Sequence, residues 1–254
     1  MEKFSLKGKR TLITGGSRGI GFGYAKAFAE CGSHLVLVAR TEDTLNKAKS
    51  ELDSFGREVH TYVFDMNQVE EIEAFYSKVV EDTGGIDILV NNAGGTRRGP
   101  AETISHEDWA FVINLNLTSV FKMSQAFAKE RIRSGKKGKI INTASLMSDL
   151  VRKDNSPYAA SKGGVRQLTK ALAIDWAPHN INVNAVGPGY FKTELTKALW
   201  EDEAFDSWVT GRTPMGRWGT PEDLGHAAVF LASPAADFIT GHILYVDGGF
   251  ISCF

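Results

Sequence analysis

The chain is poor in cysteine: only two occur, Cys31 and Cys253, near opposite ends of the sequence. Two distant thiols cannot build the disulfide framework of a small secreted protein. A reducing compartment is therefore expected, and the cytoplasm is the predicted location. The first ten residues, MEKFSLKGKR, lack the apolar core of a secretory signal, which agrees with that expectation.

An excess of charge of one sign is also missing, because 29 basic and 30 acidic side chains give a formal net charge of -1. A nucleic-acid-binding protein usually has a basic excess, so no nucleic-acid partner is expected. No apolar run approaches the roughly 18 residues that a membrane span needs, so no membrane association is expected. The six histidines are scattered without metal-ligand spacing, and no metal site is predicted.

What the sequence does contain is a regular alternation of strand-like and helix-like segments. Seven strand-like runs lie at residues 10–15, 34–40, 58–66, 86–94, 138–145, 181–189 and 242–249. Helical patterns separate them, the longest at 105–135 and 157–180. Such alternation is typical of a parallel sheet covered on both faces. We therefore predict an α/β fold, a Rossmann-type, doubly wound, seven-stranded parallel sheet with helices on both faces, as a single domain over 1–254.

One region, residues 190–219, breaks this alternation. It carries Trp200, Phe205, Trp208 and Trp218 in a mixed polar setting. An insertion near the end of a doubly wound sheet lies close to the edge where ligands bind. We predict that this region forms a lid over the substrate.

The segment TGGSRGIG, residues 14–21, follows the first strand and opens the first helix. Glycines let the backbone approach a pyrophosphate closely, at a helix N-terminus whose NH groups and dipole favour anions. The strand–turn–helix context makes this a stronger signal than a glycine cluster alone. The dinucleotide contacts predicted in this turn are Gly15, Ser17, Arg18, Gly19, Ile20 and Gly21.

The end of the second strand indicates which dinucleotide binds. The strand ends Val38-Ala39-Arg40, without the acid that would bond the ribose 2′-hydroxyl of NAD. Arg18 and Arg40 could instead converge on a 2′-phosphate, which guanidinium groups bind bidentately. The predicted cofactor is NADP(H).

Residues at the ends of the third and fourth strands extend this site, because strand ends border the cofactor crevice. Asp65, followed by Met66, is predicted to accept a hydrogen bond from the adenine amino group. Ala93 and Gly94 leave room for the ribose. Asn91 has two open interpretations, a cofactor contact or a brace to a neighbouring strand.

Tyr158 and Lys162 stand four residues apart in SPYAASKGG, on one face of a predicted helix. An ammonium about 4 Å from a phenol is worth ~4 kcal/mol at an effective dielectric of ~20. Lys162 is therefore expected to lower the pKa of Tyr158 towards neutrality, with desolvation opposing the shift. Ser145 ends the preceding strand and could hold a substrate oxygen. Asn116, in the long helix, could position a water or a helix carbonyl for a proton relay.

The chain resembles the short-chain dehydrogenase/reductase family in these motifs and in NNAG (91–94), PG (188–189) and VDGG (246–249). The resemblance spans nearly the whole chain and implies a catalytic tetrad. Its members would be Asn116, Ser145, Tyr158 and Lys162, with Asn114 a nearby rival of Asn116. Lys162 would also hold the nicotinamide ribose. Around the nicotinamide the resemblance implies Pro188, Gly189, Phe191 and Thr193. It also implies a homotetramer built from the two long helices and the C-terminal strand.

Three further stretches bear on the substrate: NNAGGTRRGP (91–100), SLMSDLVRKDNSPY (145–158) and the segment 188–219. They resemble the gluconate 5-dehydrogenase (5-ketogluconate reductase) group and related enzymes of ketodeoxy sugar acids. Hydride transfer between the nicotinamide and a secondary alcohol or ketone of a sugar acid is implied. Basic side chains suit the carboxylate, and Asp149 suits a polyol hydroxyl. The candidate substrate residues are Arg97, Arg98, Asp149, Arg152 and Tyr190.

Other interpretations stay open from the sequence alone. Each arginine could equally serve a subunit contact or a surface face. The tryptophan-rich region also fits a bulkier carbonyl substrate, as in a tropinone-reductase-like enzyme, and a 3-oxoacyl-carrier-protein reductase is a further alternative. A non-catalytic dinucleotide sensor is disfavoured, because a sensor has no need of the Tyr158 proton donor.

Overall fold

The computed structural model describes residues 2–253, and within them seven parallel strands form one sheet. The strands are β1 (Arg10–Thr14), β2 (His34–Ala39), β3 (Val59–Val63), β4 (Ile88–Asn91), β5 (Gly138–Thr143), β6 (Ile181–Pro188) and β7 (Ile243–Val246). Their spatial order is β3-β2-β1-β4-β5-β6-β7. The predicted seven-stranded parallel sheet is confirmed.

Helices cover both faces of the sheet. The helices of the described residues are α1 (Gly19–Glu30), α2 (Glu42–Leu52), α3 (Ile72–Thr83), α4 (His106–Ile113), α5 (Ser119–Ser134), α6 (Ser156–Trp176), α7 (Lys197–Trp200), α8 (Glu203–Arg212) and α9 (Pro221–Ala232). Buried side chains of α1, α2 and α9 form one apolar core, and those of α3, α5 and α6 form a second. Two cores on one sheet explain why consecutive residues of most strands are buried, and not every second residue.

The direction of the strand order reverses between β1 and β4. β1 pairs with β2 on one side, where Thr14 is opposite Val38, and with β4 on the other, where Ile13 is opposite Val90. The carboxyl ends of these three strands therefore lie along the same edge. Ligands of doubly wound sheets bind outside such a switch point.

The long helix predicted over 105–135 is interrupted. Ser105 caps α4 by accepting a hydrogen bond from the Asp108 amide, and α4 continues into a π-helical turn at Asn114–Thr118 before α5 begins. A π-helical turn holds one more residue than an α-helical turn and is frequent at functional sites. This turn buries the side chain of Asn116 completely.

The predicted lid, residues 190–219, is more regular than its sequence suggested. It contains α7 and α8, and the Asp202 carboxylate caps α8 by accepting from the amides of Ala204 and Phe205 at 3.0 and 3.2 Å. At the start of the predicted lid, Thr193 and Thr196 form a reciprocal capping box. The segment is therefore folded on its own local hydrogen bonds, and its role as a lid stays a prediction.

Within residues 2–253 no helix is long and apolar enough to cross a membrane. The same residues hold no group of three or more His, Cys, Asp or Glu side chains that could bind a metal ion.

Candidate active site

The glycine turn lies between β1 and α1 at the switch point. Gly15 has a φ of +64°, and a side chain on Gly21 would collide with the Gly15 carbonyl. No side chain caps α1, whose first turn also carries no acidic residue. The first NH groups of a helix need partners from outside it. A turn with uncapped NH groups, no acid and no room for side chains fits a pyrophosphate.

Two exposed arginines flank this turn. Arg18 occupies the position just before α1, and Arg40 follows β2 directly. Neither guanidinium forms an ion pair with any carboxylate of residues 2–253. Ser17, directly before Arg18, accepts a hydrogen bond from the Thr44 hydroxyl at 3.1 Å. The two unpaired cations suit the additional phosphate of NADP.

Thr14 and Asn92 join the NNAG loop to the glycine turn. The Thr14 hydroxyl accepts from the amides of Asn92 and Ala93 at 2.9 and 3.0 Å, and the Asn92 side chain donates to the Thr14 and Gly15 carbonyls. The sequence analysis missed both residues. The available signals were a polar residue ending an apolar strand and the second asparagine of NNAG.

Asn91 braces the sheet. Its side-chain amide donates to Asn142 on β5 and to Ser124 on α5, both at 2.9 Å, and the residue is buried. Of the two interpretations that the sequence left open, these contacts favour the brace. They leave the Asn91 amide nitrogen no free proton for a cofactor.

Residues at the outer parts of the crevice lie where their strands end. Asp65 follows β3 and accepts from the Asn67 amide at 2.9 Å, and Met66 beside it is buried. Gly94 is exposed, with Asn116 the nearest side chain. These positions match the predicted cofactor edge, although no hydrogen bond here singles out an adenine contact.

The segment after β6 runs back towards the glycine turn. Pro188 ends β6, and a side chain on Gly189 would come within 2.7 Å of the Asp247 Cα. Phe191 is buried and forms an isolated bridge with Gly219. The Thr193 side chain approaches Gly19 of the glycine turn. The residues assigned to the nicotinamide thus connect the sheet to the base of the predicted lid.

Tyr158 and Lys162 share one face of α6, as predicted. The Lys162 ammonium lies 5.6 Å from the centroid of the Tyr158 ring and donates to the Thr143 carbonyl at 2.6 Å. The two glycines that follow Lys162 on α6 have different surroundings. A side chain on Gly164 would collide with Leu117, so that glycine allows α6 to approach the π-helical turn, whereas Gly163 faces open space.

The pKa of Tyr158 moves opposite to the prediction. Burial raises it, and this outweighs the lowering by the Ser145 hydroxyl contact and by the Arg98 charge. Burial also lowers the pKa of Lys162 to about 8. The predicted lowering is wrong because the loss of water around both groups outweighs the effect of the nearby ammonium. A raised pKa keeps the Tyr158 phenol protonated at neutral pH.

Ser145 begins the short turn that links β5 to α6. Its hydroxyl accepts from the Met147 amide at 3.1 Å, and Ser148 at the end of the turn donates to the Lys162 carbonyl at 2.9 Å. The Ser145 hydroxyl therefore caps this turn, which is compatible with its predicted catalytic role. The same turn that holds the Ser145 hydroxyl is tied to the helix carrying Tyr158.

Asn116 connects the π-helical turn to two neighbours. Its side chain bonds both the amide and the carbonyl of Gly95 at 2.9 Å, and its nitrogen donates to the Ser161 hydroxyl at 3.0 Å. Ser161 in turn donates to the Tyr158 carbonyl at 2.8 Å. Among residues 2–253, the side chain of the rival Asn114 accepts only from Thr118 within its own turn, at 3.4 Å. Asn116 is thus the asparagine connected to the Tyr158 helix.

Two of the three candidate arginines, Arg98 and Arg152, interact electrostatically, and Arg98 also interacts with Tyr158. The Arg152 guanidinium lies 4.8 Å from the centre of the Phe205 ring. Partial burial and then the charge of Arg152 lower the pKa of Arg98, while Tyr190 and Tyr158 act on it in the opposite direction. Neither guanidinium pairs with an acid among residues 2–253. An anion bound between them would relieve their mutual repulsion.

Arg97 and Asp149 have partners elsewhere. Arg97 forms an ion pair with Asp108 at 3.3 Å and lies 4.1 Å from the centre of the Phe111 ring. The Asp149 carboxylate contacts Arg166 at 2.6 Å and also accepts from the Tyr245 hydroxyl. These contacts argue against both predicted substrate roles, because each charge is already neutralised by a neighbour.

A family model described as enoyl-(acyl carrier protein) reductase matches residues 15–251. The gluconate 5-dehydrogenase of Gluconobacter oxydans is 45% identical over 248 residues, which cover 98% of this chain and 96% of that protein. The chain belongs to the short-chain dehydrogenase/reductase family. A second member, the 2-dehydro-3-deoxy-D-gluconate 5-dehydrogenase of Escherichia coli K12, is 42% identical over 252 residues, covering 99% of each chain.

A solved member of the short-chain dehydrogenase/reductase family has nearly the same backbone. The gluconate 5-dehydrogenase of Burkholderia cenocepacia J2315, crystallised with NADP and tartrate, superposes with a TM-score of 0.95 at 43% identity, covering 100% of this chain and 99% of that one. Family membership confirms the resemblance found in the sequence motifs. It also makes the chain an oxidoreductase, as predicted.

Proposed function

We propose that the chain is an NADP(H)-dependent oxidoreductase that interconverts a secondary alcohol and a ketone of a sugar acid such as gluconate and 5-ketogluconate. The observation that carries the substrate class is the pair Arg98 and Arg152, which have no acidic partner among residues 2–253 and interact electrostatically, Arg98 also with Tyr158. The names of the relatives support the same class.

The residues of the crevice fit the proposed cofactor. The uncapped NH groups at the start of α1 would hold the pyrophosphate, and Arg18 with Arg40 would hold the 2′-phosphate. Lys162, almost fully buried, would bond the nicotinamide ribose. NADP in the crystal structures of three relatives supports the choice over NAD. When bound, the nicotinamide supplies or accepts the hydride.

Residues of the chain itself carry out the proton transfer. In the reducing direction the protonated Tyr158 phenol donates its proton to the carbonyl oxygen of the substrate, as a general acid. The Ser145 hydroxyl holds that oxygen in place. The Lys162 charge stabilises the phenolate that remains after the transfer. Asn116 keeps α6 in register with the loop that follows β4.

A substrate screen tests the proposed function. Oxidation of NADPH and NADH would be followed with 5-ketogluconate, related keto acids, a 3-oxoacyl thioester and tropinone. The highest kcat/KM is expected with NADPH and a keto sugar acid. A higher value with tropinone or the thioester would contradict the sugar-acid assignment and favour one of the two alternative reductases.

Replacing Arg40 with Asp is expected to shift the cofactor preference from NADPH towards NADH. The acid would repel a 2′-phosphate and could bond a free 2′-hydroxyl. Loss of one charge-assisted contact should weaken NADPH binding about ten- to a hundredfold. The measurement is the ratio of kcat/KM for the two cofactors. An unchanged ratio would mean that Arg40 faces only solvent, and Arg18→Asp would then be the next variant.

We further propose a cytoplasmic homotetramer built on α5, α6 and the β7 edge. Exposed apolar side chains on or near these elements support it: Phe121 on α5, Ile174 on α6 and Phe238 before β7. Burying such groups between subunits is favourable. Sedimentation should give the mass of four chains, with Ile174→Lys reducing it. A monomer at micromolar concentration would contradict the assembly.

A further inference from the structure

Tyr190 lies next to the reacting groups by the register of the sheet. β5 and β6 are paired with Thr143 opposite Val186, and the Ala144 amide donates to the Val186 carbonyl. Ser145 follows β5 by two residues, and Tyr190 follows the end of β6 by two. The two side chains therefore begin at adjacent strand ends on the same edge of the sheet.

The ring of Tyr190 is held on several sides. Its centroid lies 5.2 Å from that of Phe250 and 5.6 to 5.8 Å from those of Trp218, Phe205 and Trp208. Trp218 is itself fixed by a 2.8 Å hydrogen bond to the Asp206 carboxylate. Contacts of this kind favour one ring orientation, because edge-to-face pairs depend on angle as well as distance.

The hydroxyl of Tyr190, by contrast, has no hydrogen-bond partner among residues 2–253. The groups near it are those of the proposed substrate site. Tyr190 is among the groups that affect the pKa of Tyr158 and of Arg98. The Arg152 guanidinium lies 4.8 Å from the centre of the Phe205 ring, a direct neighbour of the Tyr190 ring. The phenol is thus fixed through its ring, has no hydrogen-bond partner at its oxygen among the described residues, and lies on the sheet edge that also carries Ser145.

We infer that the Tyr190 hydroxyl binds a substrate hydroxyl on the carbons between the reacting carbonyl and the carboxylate, and so selects polyhydroxy acids over simple keto acids. This inference rests on the proposed function, which assigns the two ends of the substrate. Tyr158 and Ser145 hold the reacting oxygen, and Arg98 with Arg152 hold the carboxylate. A hydroxylated carbon chain between those ends would pass Tyr190.

The test compares wild type and Tyr190→Phe on two substrates of equal length. 5-Ketogluconate carries the intervening hydroxyls, and 5-oxohexanoate lacks them. The variant keeps the ring and its aromatic contacts, so its melting temperature should not change. Its kcat/KM for 5-ketogluconate should fall about tenfold, as expected for one lost hydrogen bond. Its kcat/KM for 5-oxohexanoate, or the inhibition constant if turnover is too slow, should not change.

Tyr62→Phe is the matched control, because it also removes one phenolic hydroxyl, which bonds Asp82 on the surface. It should leave both substrates unaffected. Equal losses on both substrates for Tyr190→Phe would overturn the inference and indicate an effect on Tyr158 itself. No loss on either would also overturn it. Wild type that is inactive on 5-ketogluconate would instead contradict the proposed function.

Discussion

Replacing Tyr158 with Phe should lower kcat about 10²- to 10⁴-fold, the usual contribution of a general acid. The phenol is the group placed to protonate the substrate oxygen, and burial keeps it protonated at neutral pH. The ring and its packing are retained, so the affinity for NADPH should be largely unchanged. Steady-state kinetics and a fluorescence titration with NADPH measure the two quantities separately.

Lys162→Met makes the informative comparison with this variant. Lys162 is assigned two roles, so its loss should lower both kcat and cofactor affinity, whereas Tyr158→Phe should lower only kcat. The Lys162 ammonium also donates to the Thr143 carbonyl, so the fold must be checked by thermal melting. Near-normal kcat in Tyr158→Phe would refute the proton-transfer assignment.

Replacing Arg98 or Arg152 with Met should reduce kcat/KM for an acidic substrate roughly 10- to 150-fold, the value of one charge-assisted hydrogen bond. Met keeps much of the apolar stem and removes the charge. A neutral analogue such as the methyl ester should be affected little, because it pairs with no cation. The quantity to measure is the ratio of kcat/KM for the acid and its ester.

Arg97→Met is the matched control, since Arg97 is adjacent in sequence but pairs with Asp108 and stacks on Phe111. In Arg97→Met, the ratio of kcat/KM for the acid to that for the ester should stay at the wild-type value. A ratio unmoved in Arg98→Met and Arg152→Met would count against a carboxylate substrate. It would favour a neutral carbonyl compound held against the aromatic side chains around Tyr190.

Local signals in the sequence were enough for the sheet and for the glycine turn. Strand length, apolar content and the glycine positions all act over a few residues, so the parallel sheet followed from alternation alone. The Tyr158–Lys162 pair was predictable for the same reason, since a helix brings residues four apart onto one face.

Long-range partners were not predictable in this way. Asp149 appeared free because its partners, Arg166 and Tyr245, come from a helix and a strand that the fold brings together. Arg97 and Arg98 are neighbours in sequence. Their environments differ because of tertiary contacts, which the sequence does not show. The pKa of Tyr158 depended on burial, which a helical spacing does not report.

The π-helical turn at Asn114–Thr118 also bears on how this chain tolerates insertions and deletions. One surplus residue in a continuous helix rotates everything before it by about 100° relative to everything after it. Removing a residue here would restore ordinary helical winding without breaking the helix. It would also turn Asn116 away from Gly95 and Ser161. In this short segment, therefore, the number of residues matters for function as well as the identity of Asn116.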